Sequence, residues 1–169
     1  PRSRPYRRRR FPGGVRGGRE PPPGTYRVRF QRQLLRDARQ KIPAPLREQH
    51  SRQITQRLSR LTAFQRARTI ACYSPTSEEV DTQFIIELAT RLDKKIFLPI
   101  INRSKWRQAP LLFGEYIPTQ TPLRANKYGI LEPDVNHSKK HQGTTLDFVC
   151  VPLVGFNQHC DRIGMGASY

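Results

Sequence analysis

Between residues 69 and 99 the chain places a short apolar run, an amphipathic stretch and a second apolar run in direct succession. Thr69-Ile70-Ala71-Cys72-Tyr73 reads as a short buried strand. Asp81 to Leu92 puts Phe84, Ile85, Leu88 and Leu92 on one helical stripe. Lys95-Ile96-Phe97-Leu98-Pro99 is a second strand. Two buried strands joined by a helix are the pattern of a parallel pair, because parallel neighbours need a crossover connection. Strand–helix–strand alternation therefore predicts an α/β fold with a largely parallel sheet and helices on its faces.

The flanking segments agree. Gln31 to Lys41 is predicted as a helix with Leu34, Leu35 and Ala38 as its apolar stripe. Pro43 and Pro45 interrupt it, and Leu46 to Leu61 reads as a second helix carrying Leu46, Ile54, Leu58 and Leu61. Pro110 to Phe113 suggests a third strand, residues 117–145 are polar and turn-rich, and Phe148 to Val151 is a further strand. The longest apolar run, Phe148 to Phe156, falls far short of the ~20 residues of a membrane span. No signal-peptide core follows the basic start, and the chain contains no internal repeats.

Charge is unevenly placed. The chain carries 31 Lys+Arg against 13 Asp+Glu, and residues 1–30 alone hold ten Arg and one Glu. A basic body suits an anionic substrate, and the same charge attracts nucleic acid without specificity. Residues 1–30 combine Arg7 to Arg10, Gly13-Gly14, Arg16-Gly17-Gly18-Arg19 and Pro21 to Pro23. Three readings stand for this opening: an Arg/Gly RNA-binding tail, an organellar presequence, or an extension foreign to the folded body. Its composition favours the last, as a disordered extension, with one domain over 31–169. Cys72 and Cys150 fall in strand-like runs and are expected as buried thiols, while Cys160 lies in a polar turn. An odd count without framework spacing argues for a reducing compartment.

The last stretch carries the chemistry. The strand ending in Val151-Pro152-Leu153-Val154-Gly155-Phe156 leads through a polar turn into Asp161-Arg162-Ile163-Gly164-Met165-Gly166-Ala167-Ser168-Tyr169. A buried strand feeding a glycine-spaced loop with an arginine is one way to offer backbone N–H groups and a fixed cation to phosphate. It is neither a Walker A loop nor a dinucleotide fingerprint, and by pattern alone a plain glycine turn explains it as well. Arg32 and Arg36 share a helix face and can clamp a polyphosphate or simply be solvated. Glu79 and Asp81 stand between a strand and a helix, where Asp81 also suits an N-cap. Tyr128 sits beside Gly129 in a loop and can stack on a flat ring or cover the loop. His137 and His141 have metal-compatible spacing but no third ligand nearby, so a solvated loop is the better reading; His159 reads as part of the turn.

The wording of these segments resembles the 5-formyltetrahydrofolate cyclo-ligase family, also called methenyltetrahydrofolate synthetase. Four segments occur in the family's order over about residues 31–169: Arg32-Gln33-Leu34-Leu35-Arg36, Glu79-Val80-Asp81-Thr82, Tyr128-Gly129-Ile130-Leu131-Glu132-Pro133, and the Val151–Gly155/Arg162–Tyr169 signature. The resemblance implies a three-layer NagB/RpiA/CoA-transferase-like fold and ATP-dependent conversion of 5-formyltetrahydrofolate to 5,10-methenyltetrahydrofolate, with ADP and phosphate released. It implies that Arg32, Gln33, Leu34, Leu35 and Arg36 bind ATP together with Arg162, Ile163, Gly164, Met165, Gly166, Ala167, Ser168 and Tyr169. Arg162 is the expected catalytic cation. Glu79, Asp81, Tyr128, Met165 and Tyr169 are the expected folate contacts. The implied enzyme is cytoplasmic and monomeric, uses ATP with Mg2+, takes a folate that can be polyglutamylated, and has no membrane or specific nucleic-acid partner. It departs from the family where Ser168 replaces a glycine. The family's pattern continues past Tyr169 to an Asp that holds magnesium, so no metal ligand is expected within the chain, which reads as C-terminally truncated.

Overall fold

A computed structural model describes residues 23–101, 111–136 and 140–165, with side chains from Val28 onward. The helices are α1 (Pro23–Gln40), α2 (Ala44–Leu58), α3 (Thr62–Arg66) and α4 (Gln83–Arg91). The strands are β1 (Thr69–Ala71), β2 (Lys95–Ile100), β3 (Leu112–Glu115), β4 (Leu123–Ala125), β5 (Leu131–Pro133), β6 (Lys140–Gln142), β7 (Phe148–Val149), β8 (Gly155–Phe156) and β9 (Arg162–Ile163).

Five strands form the central sheet in the order β6-β3-β2-β1-β7. β1 is parallel to both β2 and β7, while β3 is antiparallel to β2 and to β6. Four strands thus run one way and β3 runs against them, in keeping with the expected mostly parallel sheet. Side-chain alternation divides the apolar residues between two faces. Ile70 of β1, Cys72 just after it, and Ile96 and Leu98 of β2 meet Phe64 of α3 and Ile85, Ile86 and Ala89 of α4. Phe64 is fully buried and meets Phe148 edge-on, with ring centroids 5.7 Å apart. On the opposite face Ala71, Phe97 and Phe113 form a smaller cluster closed by Leu146. His141 packs edge-on against Phe97, its ring 5.0 Å away. Asp147 ties the starts of β1 and β7 together, its Oδ2 accepting from the Arg68 and Thr69 N–H groups and the Thr69 hydroxyl, each at 2.9 Å.

Several boundaries differ from the expectation. α1 starts at Pro23, so residues 23–30 are helical and not part of an unordered extension. Pro23 suits a first helical position, where its missing N–H costs nothing. The expected second helix stops at Leu58, because the Arg60 and Leu61 N–H groups tighten onto Arg57 O and Leu58 O before α3 begins. The helix expected from Asp81 begins at Gln83. Residues 117–145, read from the sequence as polar and turn-rich, also hold β4, β5 and β6. Those strands are three residues long and largely exposed, so they leave no apolar alternation to read. The expected stripe residues Leu34, Leu46, Ile54, Leu61 and Leu92 each keep 40% or more of their surface exposed. Cys150 is half-buried where full burial was expected, because it follows the edge strand β7. Residues 1–22, Pro110, His137 and Gly166 to Tyr169 lie outside the described residues.

Candidate functional site

The strand order reverses around β1: α4 carries the chain from β1 to β2 on one side, and β7 joins β1 on the other. Open α/β sheets bind ligands outside the carboxyl ends of strands at such a point. A cleft of about 450 Å³ opens there. Arg39, Arg47, His50 and Ile54 line it from α1 and α2, Tyr73, Glu78, Glu79 and Thr82 from the β1–α4 connection, and Phe148, Cys150 and Leu153 from the β7 side. Its size and mixed lining suit a small organic ligand.

The glycine loop reaches this region on a short hairpin. β8 and β9 pair Phe156 with Arg162 and Gly155 with Ile163. Asn157 shapes the turn between them, its Oδ1 accepting from the His159 and Asp161 N–H groups at 2.9 Å each. Cys160 is held there at a φ of 64°. α1 lies over the hairpin. A Cβ on Gly155 would stand 2.6 Å from Leu35 Cδ1, so this glycine permits close helix approach. At the far end of the hairpin, Arg32 Nε donates to Gly164 O at 2.7 Å. The two ends of the expected nucleotide site, 132 residues apart in sequence, therefore meet.

Arg39 extends the arginine row of α1, standing seven residues after Arg32 and three after Arg36, and the sequence reading missed it. Its guanidinium donates to Leu153 O at 3.3 Å and to Glu78 Oε2 at 3.4 Å, and it contacts Met165 Sδ at 3.8 Å. Gln40 Nε2 donates to the other Glu78 oxygen at 2.6 Å. These contacts hold the Glu78 carboxyl below its ordinary range, the Gln40 amide first and the Arg39 and Arg36 charges after it. The Nε atoms of Arg36 and Arg39 are buried with no hydrogen-bond partner among the described residues.

The remaining candidates are placed as follows. Glu79 lines the cleft and is 8% exposed, with Oε2 accepting the Thr76 N–H at 2.9 Å. Asp81 Oδ1 accepts the Gln83 N–H at 2.9 Å, so it serves the start of α4. Tyr128 is exposed on the β4–β5 hairpin, where Lys127 Nζ stands 4.9 Å from its ring centre. Gly129 beside it has a φ of +77°, which only glycine adopts easily. Tyr128 does not line the 450 Å³ cleft, but Ser74 Oγ donates to Leu131 O at 2.8 Å and ties that hairpin to the acidic connection. Glu132, unassigned in the sequence, fixes the hairpin: its Oε1 accepts from Asn126 Nδ2 at 2.7 Å and from the Ile101 N–H at 3.0 Å. Glu132 and Pro133 also line a second cleft of about 320 Å³ with the Arg124–Asp134 ion pair, and no residue of the glycine loop lines it. Arg162 is exposed on β9. Gln33 donates to Asp37 along α1 at 2.8 Å, and Leu34 faces solvent. Among the described residues no atom lies within 4 Å of where a Cβ on Gly164 would stand. Among the described residues no group of three His, Cys, Asp or Glu could hold a metal ion.

The model of the 5-formyltetrahydrofolate cyclo-ligase family matches residues 26–169. The chain belongs to this family. The Haemophilus influenzae 5-formyltetrahydrofolate cyclo-ligase is 31% identical over 143 residues, covering 82% of this chain and 75% of that protein. The Escherichia coli K12 protein of the same name is 28% identical over 136 residues, covering 80% of this chain and 73% of its own length. The fold is that of the Aquifex aeolicus 5,10-methenyltetrahydrofolate synthetase, with a TM-score of 0.70 at 22% identity over 84% of this chain and 69% of that one. The Mycoplasma pneumoniae 5,10-methenyltetrahydrofolate synthetase superposes with a TM-score of 0.59 at 20% identity, over 82% and 71% of the two chains. The cyclo-ligase match begins at Tyr26, within α1.

Proposed function

We propose that this chain is the ATP-dependent ligase its family name describes, converting 5-formyltetrahydrofolate to 5,10-methenyltetrahydrofolate with release of ADP and phosphate. The observation that carries the reading is the meeting of Arg32 with Gly164, next to Met165, which Arg39 contacts while lining a cleft walled by Glu79. Phosphoryl transfer to the formyl oxygen makes a leaving group, and the neighbouring folate nitrogen then attacks the formyl carbon to close the ring. Such chemistry asks for positioning and charge neutralisation more than for a protein nucleophile. Arg32, Arg36 and Arg162 supply the positive charge, with Arg162 as the cation at the transferring group. The buried, unpartnered Nε of Arg36 suits an anionic ligand. On this reading Ile163, Gly164 and Met165 are nucleotide contacts of the glycine loop, with Gly166, Ala167, Ser168 and Tyr169, which lie outside the described residues, proposed beside them. Gln33, Leu34 and Leu35 belong to the same stretch, Leu35 by holding the hairpin against α1.

On the folate side the reading uses Glu79 and Asp81 for the aminopyrimidine edge, with Tyr128, Met165 and Tyr169 for the flat rings. A carboxylate can meet that edge through two hydrogen bonds. Mg2+ would arrive on the ATP phosphates, since magnesium is commonly held by one or two carboxylates plus phosphate oxygens. The described residues provide no cage of their own for it. No helix among them is long and apolar enough to cross a membrane. The reading takes the enzyme as a cytoplasmic monomer.

The test is ATP-dependent appearance of the methenyl product by absorbance. Arg162→Ala should weaken ATP binding by about 1.5–3 kcal/mol, the range of a charge-assisted contact. Unchanged ATP affinity in that variant would remove Arg162 from the site. Absence of product from the folded chain with ATP and magnesium would refute the activity.

A further inference from the structure

Cys72 follows β1 and Cys150 follows β7. Each stands one residue beyond the register pair Ala71 and Val149, so the two cysteines lie side by side on neighbouring parallel strands. The Cys150 N–H donates to Ala71 O at 2.8 Å, which carries the ladder on to this pair. Alternation turns both side chains to the helix-covered face, where Cys72 belongs to the main core and Cys150 packs against it. Neighbouring strands lie about 4.7–4.9 Å apart, inside the Cα separation of about 4.4–6.8 Å that a disulfide spans. The two thiols differ in access. Cys72 is 1% exposed, whereas Cys150 is half-buried and lines the 450 Å³ cleft. The proposed reaction uses neither.

We propose that Cys150 and Cys72 form a peroxide-sensitive pair that closes to a disulfide beside the cleft, Cys150 being the sulfur oxidised first and Cys72 the one that resolves it. The Cys150 thiolate attacks one oxygen of hydrogen peroxide, the O–O bond breaks, hydroxide leaves, and Cys150 becomes a sulfenic acid. The Cys72 sulfur then attacks the Cys150 sulfur. The S–O bond breaks, and the Cys72 proton leaves with the hydroxyl as water. Two electrons pass from the two thiols to one peroxide, giving one disulfide and two waters. Access favours this order: Cys150 is half-buried and lines the cleft, where peroxide can reach it, whereas Cys72 is shut in the core. The bond would strap β1 to β7 where Tyr73 and Leu153 lead into the cleft walls. Oxidation is thus expected to lower activity and dithiothreitol to restore it. That consequence rests on the ligase reading; the cross-link does not.

The experiment uses the unmutated full chain, treated with hydrogen peroxide, denatured, alkylated with iodoacetamide and mapped by mass spectrometry without reduction. The expected result is a peptide pair linked through Cys72 and Cys150, loss of alkylation at both, and its return after dithiothreitol. In Cys72→Ser, dimedone should trap a sulfenic acid at Cys150. The mapping needs no variant, so a misfolded mutant cannot decide the outcome. Cys150 carried to the sulfinic acid while Cys72 still alkylates would overturn the proposal, as would oxidation confined to Cys160. A cross-link in a chain inactive in both redox forms would support the pair and refute the ligase reading instead.

Discussion

Removing the Arg39 guanidinium should loosen both walls of the cleft. The Arg39 side chain is 14% exposed and that of Glu78 24%. Exposed ion pairs are worth about 0–1 kcal/mol, and breaking a fully buried one costs about 3–5 kcal/mol. The 3.4 Å contact between them is long, and Glu78 keeps its 2.6 Å bond from Gln40 when Arg39 is gone. The pair itself therefore belongs near the exposed value. Arg39→Ala also removes the bond to Leu153 O and the packing of the stem, so a total of about 1.5–2.5 kcal/mol is expected. For a chain of this size that lowers Tm by about 3–10 °C. Glu78→Gln keeps the shape and should cost about 0.5–1 kcal/mol. The double variant should then be less destabilised than the sum of the singles by a similar amount. Because Arg39 touches both the acidic connection and Met165, the KM for folate and for ATP should both rise.

The pH dependence has a definite sign. The Gln40 amide, with the Arg39 and Arg36 charges behind it, holds the Glu78 carboxyl below its ordinary value of 4.5. A depressed folded value gives stability that is present above the unfolded value and lost as pH falls through the folded one. The Arg39–Glu78 coupling should accordingly fade on acidification below that ordinary value. Thermal unfolding of the four proteins of the cycle at neutral and acid pH, with initial rates against each substrate, makes the test. Strictly additive single variants with unchanged KM values would refute the role given to Arg39.

Two further outcomes follow from packing and linkage. A Cβ on Gly114 would stand 2.7 Å from Ile100 Cδ1 and 2.9 Å from Val135 Cγ2, so Gly114→Ala should destabilise by about 1–3 kcal/mol through overpacking; an unchanged Tm would mean that the segment around Val135 does not press on β3. The Asp147 carboxyl is held below its ordinary 3.8 by the Thr69 and Arg68 N–H groups and the Thr69 hydroxyl, so its stabilisation is present above that value and lost as pH falls below it. Tm measured down through the carboxylate range should fall more steeply for the parent than for Asp147→Asn, and parallel curves would contradict the clamp.

The parts of this fold that could be read in advance are those whose burial follows a period. β1, α4 and β2 announce themselves because Ile70, Ile85, Ile86, Ile96 and Leu98 must reach one face of one sheet. β4 and β5 leave no such trace. Their ladder is held by polar side chains, with Asn126 bonding Glu132 and Glu132 taking the Ile101 N–H. Arg39 shows the same limit at the site. The arginine row on α1 is visible, but its partners at Glu78, Leu153 and Met165 lie 39, 114 and 126 residues away. Asp81 was legible both as a ligand candidate and as a helix cap, but the N-cap of α4 is Thr82, and Asp81 stands one residue before it with its Oδ1 taking the Gln83 N–H. The glycines make the point most sharply, because the sequence writes them alike and the structure separates their reasons. Gly129 is required by its positive φ, and Gly155 by the approach of Leu35. Gly164 shows neither reason among the described residues. In the proposed reaction it is the phosphate chain of ATP that would come close to the Gly164 backbone, where a glycine leaves room for it.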